Sequence, residues 1–207
     1  MTDVAYQSAP LKNLDHASQY DLREMKLILS GNAQAIDLRN LYTEFNIYED
    51  MLGTTISGNI TIVDSLNLLA SVGFSGNERL HLVVDTATKG QPIDAEFLVY
   101  GMSPVITNSG QNSKRSLMYV LNFCSEEKLR DLQTLVTKSY RSTQISKIVA
   151  DIMGSSYINT KKNVTIEETS GNQDLIIPSF RPMKAIDWLS TRAISTTNNP
   201  DYVFFEN

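Results

Sequence analysis

The chain has 207 residues, 42% hydrophobic and 20% charged, which allows one large domain or two modest ones, each with its own core. A formal net charge of -5 argues against nucleic-acid binding driven by phosphate neutralisation, and no window approaches the roughly 18 apolar residues that span a bilayer. The single cysteine, Cys124, excludes an intrachain disulfide and a multi-cysteine metal site.

Residues 1–19 are polar, carry Pro10 and His16, and show no period. They predict a mobile arm ordered by a partner, and their lack of a signal-peptide apolar core predicts synthesis in a cytoplasm. From Tyr20 a strand is expected, with Met25, Leu27 and Leu29 alternating against Lys26, Ile28 and Ser30. Ser30, Gly31 and Asn32 break it with turn chemistry.

A second strand follows, with Leu41, Thr43, Phe45 and Ile47 on one face and Tyr42, Glu44, Asn46 and Tyr48 on the other. Bulky side chains on both faces point to a partner, either a neighbouring subunit or the chain's own helix. Tyr42, Asn46 and Tyr48 are the candidate interface residues. Asp50 is expected to accept hydrogen bonds from the amides of the bend that Met51, Leu52 and Gly53 make. The next strand, 54–63, offers Ile56, Ile60 and Ile62 to the core, and Gly58 within it marks a bulge, a bend or a close backbone approach. Asp64 and Ser65 then cap a short helix, 66–72.

Further strands are expected at 79–85, 95–107 and 116–123, joined by polar loops. His81 sits opposite the leucines of its strand, as a surface or interface residue. Cys124, in alternating surroundings, reads as a small buried hydrophobe rather than a reactive thiol. Six or so antiparallel strands with one helix suggest an antiparallel β-barrel or closed sandwich, which removes exposed edges.

The texture changes at Ser125, where Glu126 and Glu127 open a helix to about Gln133. Ser142 or Thr143 is expected to cap a second helix carrying Ile145, Ile148, Val149 and Ile152, which Gly154 ends. Residues 163–168 predict a strand. Arg181 and Pro182 start a third helix, with Ile186, Leu189 and Ala193 on one stripe. The apolar run 201–207 reads as a strand without a partner, as if the natural chain continued. The fold class is therefore α+β: an arm at 1–19, a β-barrel or sandwich at 20–124, and a smaller α+β region at 125–207, incomplete at its carboxy-terminal end.

Catalytic chemistry is not legible. A Ser-His-Asp triad has just His16 and His81 to draw on, and HExxH, Walker A and strand-following GxGxxG motifs are absent. Glu49 and Asp50 are adjacent in a strand and point to opposite faces, so they do not form a glycosidase pair without a bulge. Glu126 with Glu127, and Glu167 with Glu168, read as solvated charge. Trp188 lies on an amphipathic helix and reads as core or interface. No catalytic, metal or cofactor site is assigned.

Several segments in order resemble the first tube-like domain and its connector in the baseplate hub protein of contractile-tailed bacteriophages. They are FNIYED from Phe45, SGNITIVDSLNLL from Ser57, YVLNFCSEE from Tyr119, residues 140–152 with SKIV from Ser146, and PSFRPMKAIDWLSTRA from Pro178. The resemblance runs from Tyr20 to residue 207. It implies a non-enzymatic structural protein of the virion tail, a homotrimer that adapts the six-fold tail tube to the three-fold spike around a DNA channel. Implied partners are the tube or tube-initiator protein, the central spike and other baseplate proteins, with DNA passing unbound and no cofactor. The family's second tube-like domain is missing from these residues, so truncation or a second chain is expected. Alternative readings are a tail-associated peptidoglycan hydrolase, a carbohydrate- or receptor-binding β-domain, and the hub of a phage-derived contractile injection device.

Overall fold

A computed structural model describes residues 19–30, 35–64, 74–87, 92–105, 117–154 and 156–207. The arm to residue 18, the turn at Gly31 and Asn32, the helix 66–72 and most of the loops after 87 and 105 lie outside the described residues.

Among the described residues seven strands form one sheet: β1 (Tyr20–Ile28), β2 (Ala35–Asp37), β3 (Tyr42–Tyr48), β4 (Ser57–Asp64), β5 (Arg79–Thr86), β6 (Ile93–Val105) and β7 (Leu117–Cys124). Their order is β2-β1-β5-β6-β7-β4-β3, so β2 and β3 are its outer strands. The pairs β1–β2, β1–β5 and β5–β6 are antiparallel. Alternation decides the buried face. In β4 it is Gly58, Ile60, Ile62 and Asp64; in β5 it includes Leu80, Leu82 and Val84; in β7 it includes Tyr119, Leu121 and Phe123. Cys124 is buried as expected. The register of β1 on β5 shifts between Leu22 and Glu24, a bulge at Arg23, whose guanidinium pairs with the buried carboxylate of Asp85.

The second sheet has two strands, β8 (Val136–Thr143) and β9 (Gln173–Phe180), and three helices accompany it in sequence: α1 (Glu126–Gln133), α2 (Ile145–Met153) and α3 (Pro182–Ser190). Neither β8 nor β9 nor the short β2 follows from the sequence pattern. β8 reads VTKSYRST, β9 contains Pro178, and two register shifts interrupt their pairing, with Ser142 and Ser179 at positive φ.

By contact density the chain falls into two units, one of 1–44 and 60–121, the other of 45–59 and 122–207. Strands β3, β4 and β7 therefore begin in one unit and end in the other. In the second unit Val136, Tyr140, Ile145, Ile148, Ile152, Ile177, Ile186 and Leu189 form the core, with Trp188, Tyr202 and Phe204 packed against it.

Three local expectations are corrected. Ser142 and Thr143 belong to the end of β8, and the residue before α2 is Gln144; the α2 amide of Ser146 is capped by the Thr169 hydroxyl at 3.0 Å. Residues 163–168 and 201–207 form no strand, because no strand among the described residues supplies them with a hydrogen-bonding edge. Glu127 is buried rather than solvated.

Candidate assembly surface and a buried charge clasp

The end of β3 and the start of β4 are held by backbone proximity and by amide side chains. Gly58 passes so close to its surroundings that a Cβ there would overlap the backbone oxygen of Asn46 and stand 2.7 Å from Cε2 of Phe123. Of the three readings open for this glycine, the close approach is the one found. Asn46 Nδ2 donates to Asn59 Oδ1 at 3.1 Å, and Asn59 Nδ2 donates to the Tyr48 hydroxyl at 3.1 Å. Asn59 thus joins two of the candidate interface residues on this outer strand. Tyr48 is 53% exposed. Tyr42 is half-buried; a hydrogen bond with the Tyr20 hydroxyl, then desolvation, raises its pKa.

The bend beyond β3 is set by Asp50. Its Oδ1 accepts from the Leu52 amide at 2.9 Å, and its backbone oxygen accepts from the Gly53 amide at 2.9 Å. Met51 and Leu52 stand out at the tip, 64% and 84% exposed. Asp64, at the end of β4, is buried; the helix it was expected to cap lies outside the described residues. His81 sits half-buried on the face opposite Leu80 and Leu82, its Nε2 2.9 Å from Asp94 Oδ1.

The second unit holds a cluster that the sequence did not reveal. Glu127 Oε1 accepts from the Thr160 hydroxyl at 2.6 Å, and Lys162 Nζ donates to Glu127 Oε2 at 2.9 Å. Lys162 also pairs with Glu206. Glu206 Oε2 in turn accepts from the Ile56 amide at 2.8 Å and from the Ser125 hydroxyl at 2.7 Å. Burial would raise the Glu127 pKa, but the bonds from Thr160 and Lys162 outweigh it and hold the carboxyl below its ordinary value. Burial likewise opposes the charge on Lys162, and Glu206 and Glu127 reverse the effect and raise its pKa. The charged form of Lys162 is thereby favoured, and the Ser125 side chain is fully buried and donates to Glu206. The arrangement fastens chain segments far apart in sequence, Ile56, Ser125 and Glu127 to Thr160, Lys162 and Glu206.

A second such network joins β8 to α2. The Tyr140 hydroxyl donates to Asp151 Oδ2 at 2.5 Å and Lys138 Nζ to the same oxygen at 2.9 Å. Burial, then Asp151, pushes the Tyr140 pKa well above the usual tyrosine value. Among the described residues there is no group of three or more potential metal ligands, and no helix long and apolar enough to cross a membrane.

The sequence matches no protein-family model and no curated protein. The fold does have neighbours. A tail protein from Neisseria meningitidis MC58 superposes with a TM-score of 0.53 at 12% identity, over 90% of this chain and 50% of that one. The 43 kDa tail protein of prophage MuSo2 from Shewanella oneidensis gives 0.53 at 10% identity, over 89% of this chain and 54% of its own. The chain spans about half the length of the tail proteins it matches, and over that part its largely antiparallel β fold is similar to theirs.

Proposed function

We propose that this chain is a structural component of a phage tail baseplate. In this reading three copies close a hub that adapts a six-fold tail tube to a three-fold spike, with DNA passing through the centre. The observation that carries the reading is the likeness in fold, across nine-tenths of the chain, to two tail proteins. The resemblance of the segments from Phe45, Ser57, Tyr119 and Pro178 to the hub family narrows it from tail to hub. Residues 20–124 would form the tube-like domain, 125–207 the start of the connector, and the side chains of Tyr42, Asn46 and Tyr48 on outer strand β3 would meet the neighbouring copy. Closed cyclic symmetry is the usual form of such assemblies. Tube, spike and other baseplate proteins would be the partners, and the finished protein would reside in the virion tail.

Light scattering on the purified chain across a dilution series tests this reading. It predicts a mass three times the 23.1 kDa of one chain, stable on dilution. A monomer at every concentration would overturn self-assembly into a hub.

A further inference from the structure

Two stretches of the second unit have strand sequences and, among the described residues, no strand partner. Residues 163–168, NVTIEE, are all exposed, and Val164 and Ile166 stand at 41% and 36%. Along 201–207 the exposure alternates: Tyr202, Phe204 and Glu206 are half-buried, while Asp201, Val203, Phe205 and Asn207 face out. That is the two-residue period of an extended chain. Yet among the described residues no backbone group bonds to the backbone of 163–167 or 201–207. The two stretches are tied to each other by the Tyr202 hydroxyl, which donates to the Glu168 carbonyl at 2.7 Å. Extended backbone with free donors and acceptors beside apolar side chains is what an added strand completes.

The surroundings specify the added strand. Both stretches border one cavity of about 570 Å³, lined also by Val149, Met153, Met183 and Ile186. Glu206 is paired with Lys162, which leaves Glu167, Glu168 and Asp201 as the carboxylates of the two stretches, and neither stretch contains Lys or Arg. Desolvation, then Glu167, Asp201 and Glu168, raises the Tyr202 pKa, which reports the same negative field. Like charges set opposite one another destabilise a strand pair, so this acidic backbone is poorly matched to a second copy of itself.

We propose that 201–207, flanked by 163–168, is the seat for an extended segment of a partner protein, apolar at alternate positions and basic between them. The segment adds as a strand along 201–207. Its apolar side chains pack beside Val203 and Phe205, and its basic side chains, on the opposite face of the added strand, reach Glu167 and Glu168. This does not depend on the hub reading, since it concerns backbone that has no backbone partner among the described residues.

Amide hydrogen exchange on the whole chain tests it, with a heptapeptide alternating lysine and valine as the probe and its glutamate counterpart as the control. The amides of 163–167 and 201–207 are expected to exchange fast in the free chain and to slow roughly ten-fold or more with the lysine peptide alone. Val203→Ser with Phe205→Ser, both at exposed positions, should remove most of that slowing while leaving the melting temperature unchanged. Equal slowing by both peptides, or none by either, overturns the proposal. Slow exchange in the free chain that fades on dilution assigns the seat to a second copy and overturns it as well.

Discussion

Gly58 and Phe123 meet with no room for a side chain between them: a Cβ on Gly58 would stand 2.7 Å from Cε2 of the ring and overlap the backbone oxygen of Asn46. Phe123 is fully buried, and the Asn46 oxygen belongs to strand backbone, so neither yields cheaply. Gly58→Ala is expected to cost about 3 kcal/mol, the upper end for overpacking. Chemical denaturation measures it; a loss under about 0.5 kcal/mol would mean the strands part more easily than the packing implies.

Lys162 answers two carboxylates at once. Lys162→Met strands Glu127 and Glu206 and should cost about 2 kcal/mol, less than a fully buried pair because the lysine is 41% exposed. The pH profile gives a second readout. With the folded pKa of Glu127 below its unfolded value, its contribution is complete above the unfolded value and drains as pH falls through the folded one. With the pKa of Lys162 raised, its contribution is complete below the ordinary lysine value and is lost as pH rises through the raised one. Denaturation midpoints against pH should show both limbs in the native chain, and the variant should flatten them.

Tyr140→Phe removes the hydroxyl from Asp151 and should cost about 1.5 kcal/mol, as for a hydrogen bond to a charged group. An alkaline absorbance titration of the native chain should show one tyrosine ionising after the others. The variant should lack that late step.

The α3 amide of Met183 is capped by Asp131 Oδ1 at 2.7 Å, a residue of α1. Asp131→Ala should cost about 1 kcal/mol, as for other lost caps, with Asp131→Asn recovering most of it. Thermal unfolding of the pair distinguishes a cap from mere packing.

For the assembly surface, Tyr48→Asp is the informative change, because the side chain is half exposed and its loss opens no cavity. The expected outcome is a shift from the proposed trimer to a monomer in light scattering, with the far-ultraviolet circular dichroism spectrum unchanged. An unchanged trimer would remove Tyr48 from the interface.

The legible parts of this fold share one property: the information is local. Leu80, Leu82 and Val84 alternate, Ile145, Ile148 and Ile152 recur at helical spacing, and Pro182 opens a helix, so β5, α2 and α3 follow from neighbours in sequence. The parts that were missed are non-local. The caps of α2 and α3 come from Thr169 and Asp131, not from the residues just before each helix. β8 and β9 exist through each other across two bulges, and Lys138, Ser139 and Arg141 carry no strand pattern of their own. Glu127 reads as solvent-facing because its partners, Thr160 and Lys162, lie far along the chain. Conversely, 163–168 and 201–207 have the composition of strands, and among the described residues no edge pairs with them.

The bond from the Ile56 amide to Glu206 spans 150 residues of chain, and residues 45–59 belong with 122–207. Synthesis runs from the amino terminus at roughly 5–20 residues per second, so the tip between β3 and β4 leaves the ribosome several seconds before its companions exist. During that interval Met51 and Leu52 project from an unfinished unit, and the backbone of β3 has no completed surroundings. A chaperone able to hold that tip would act on a window set by the order of translation, and slowing translation after residue 122 should lengthen it.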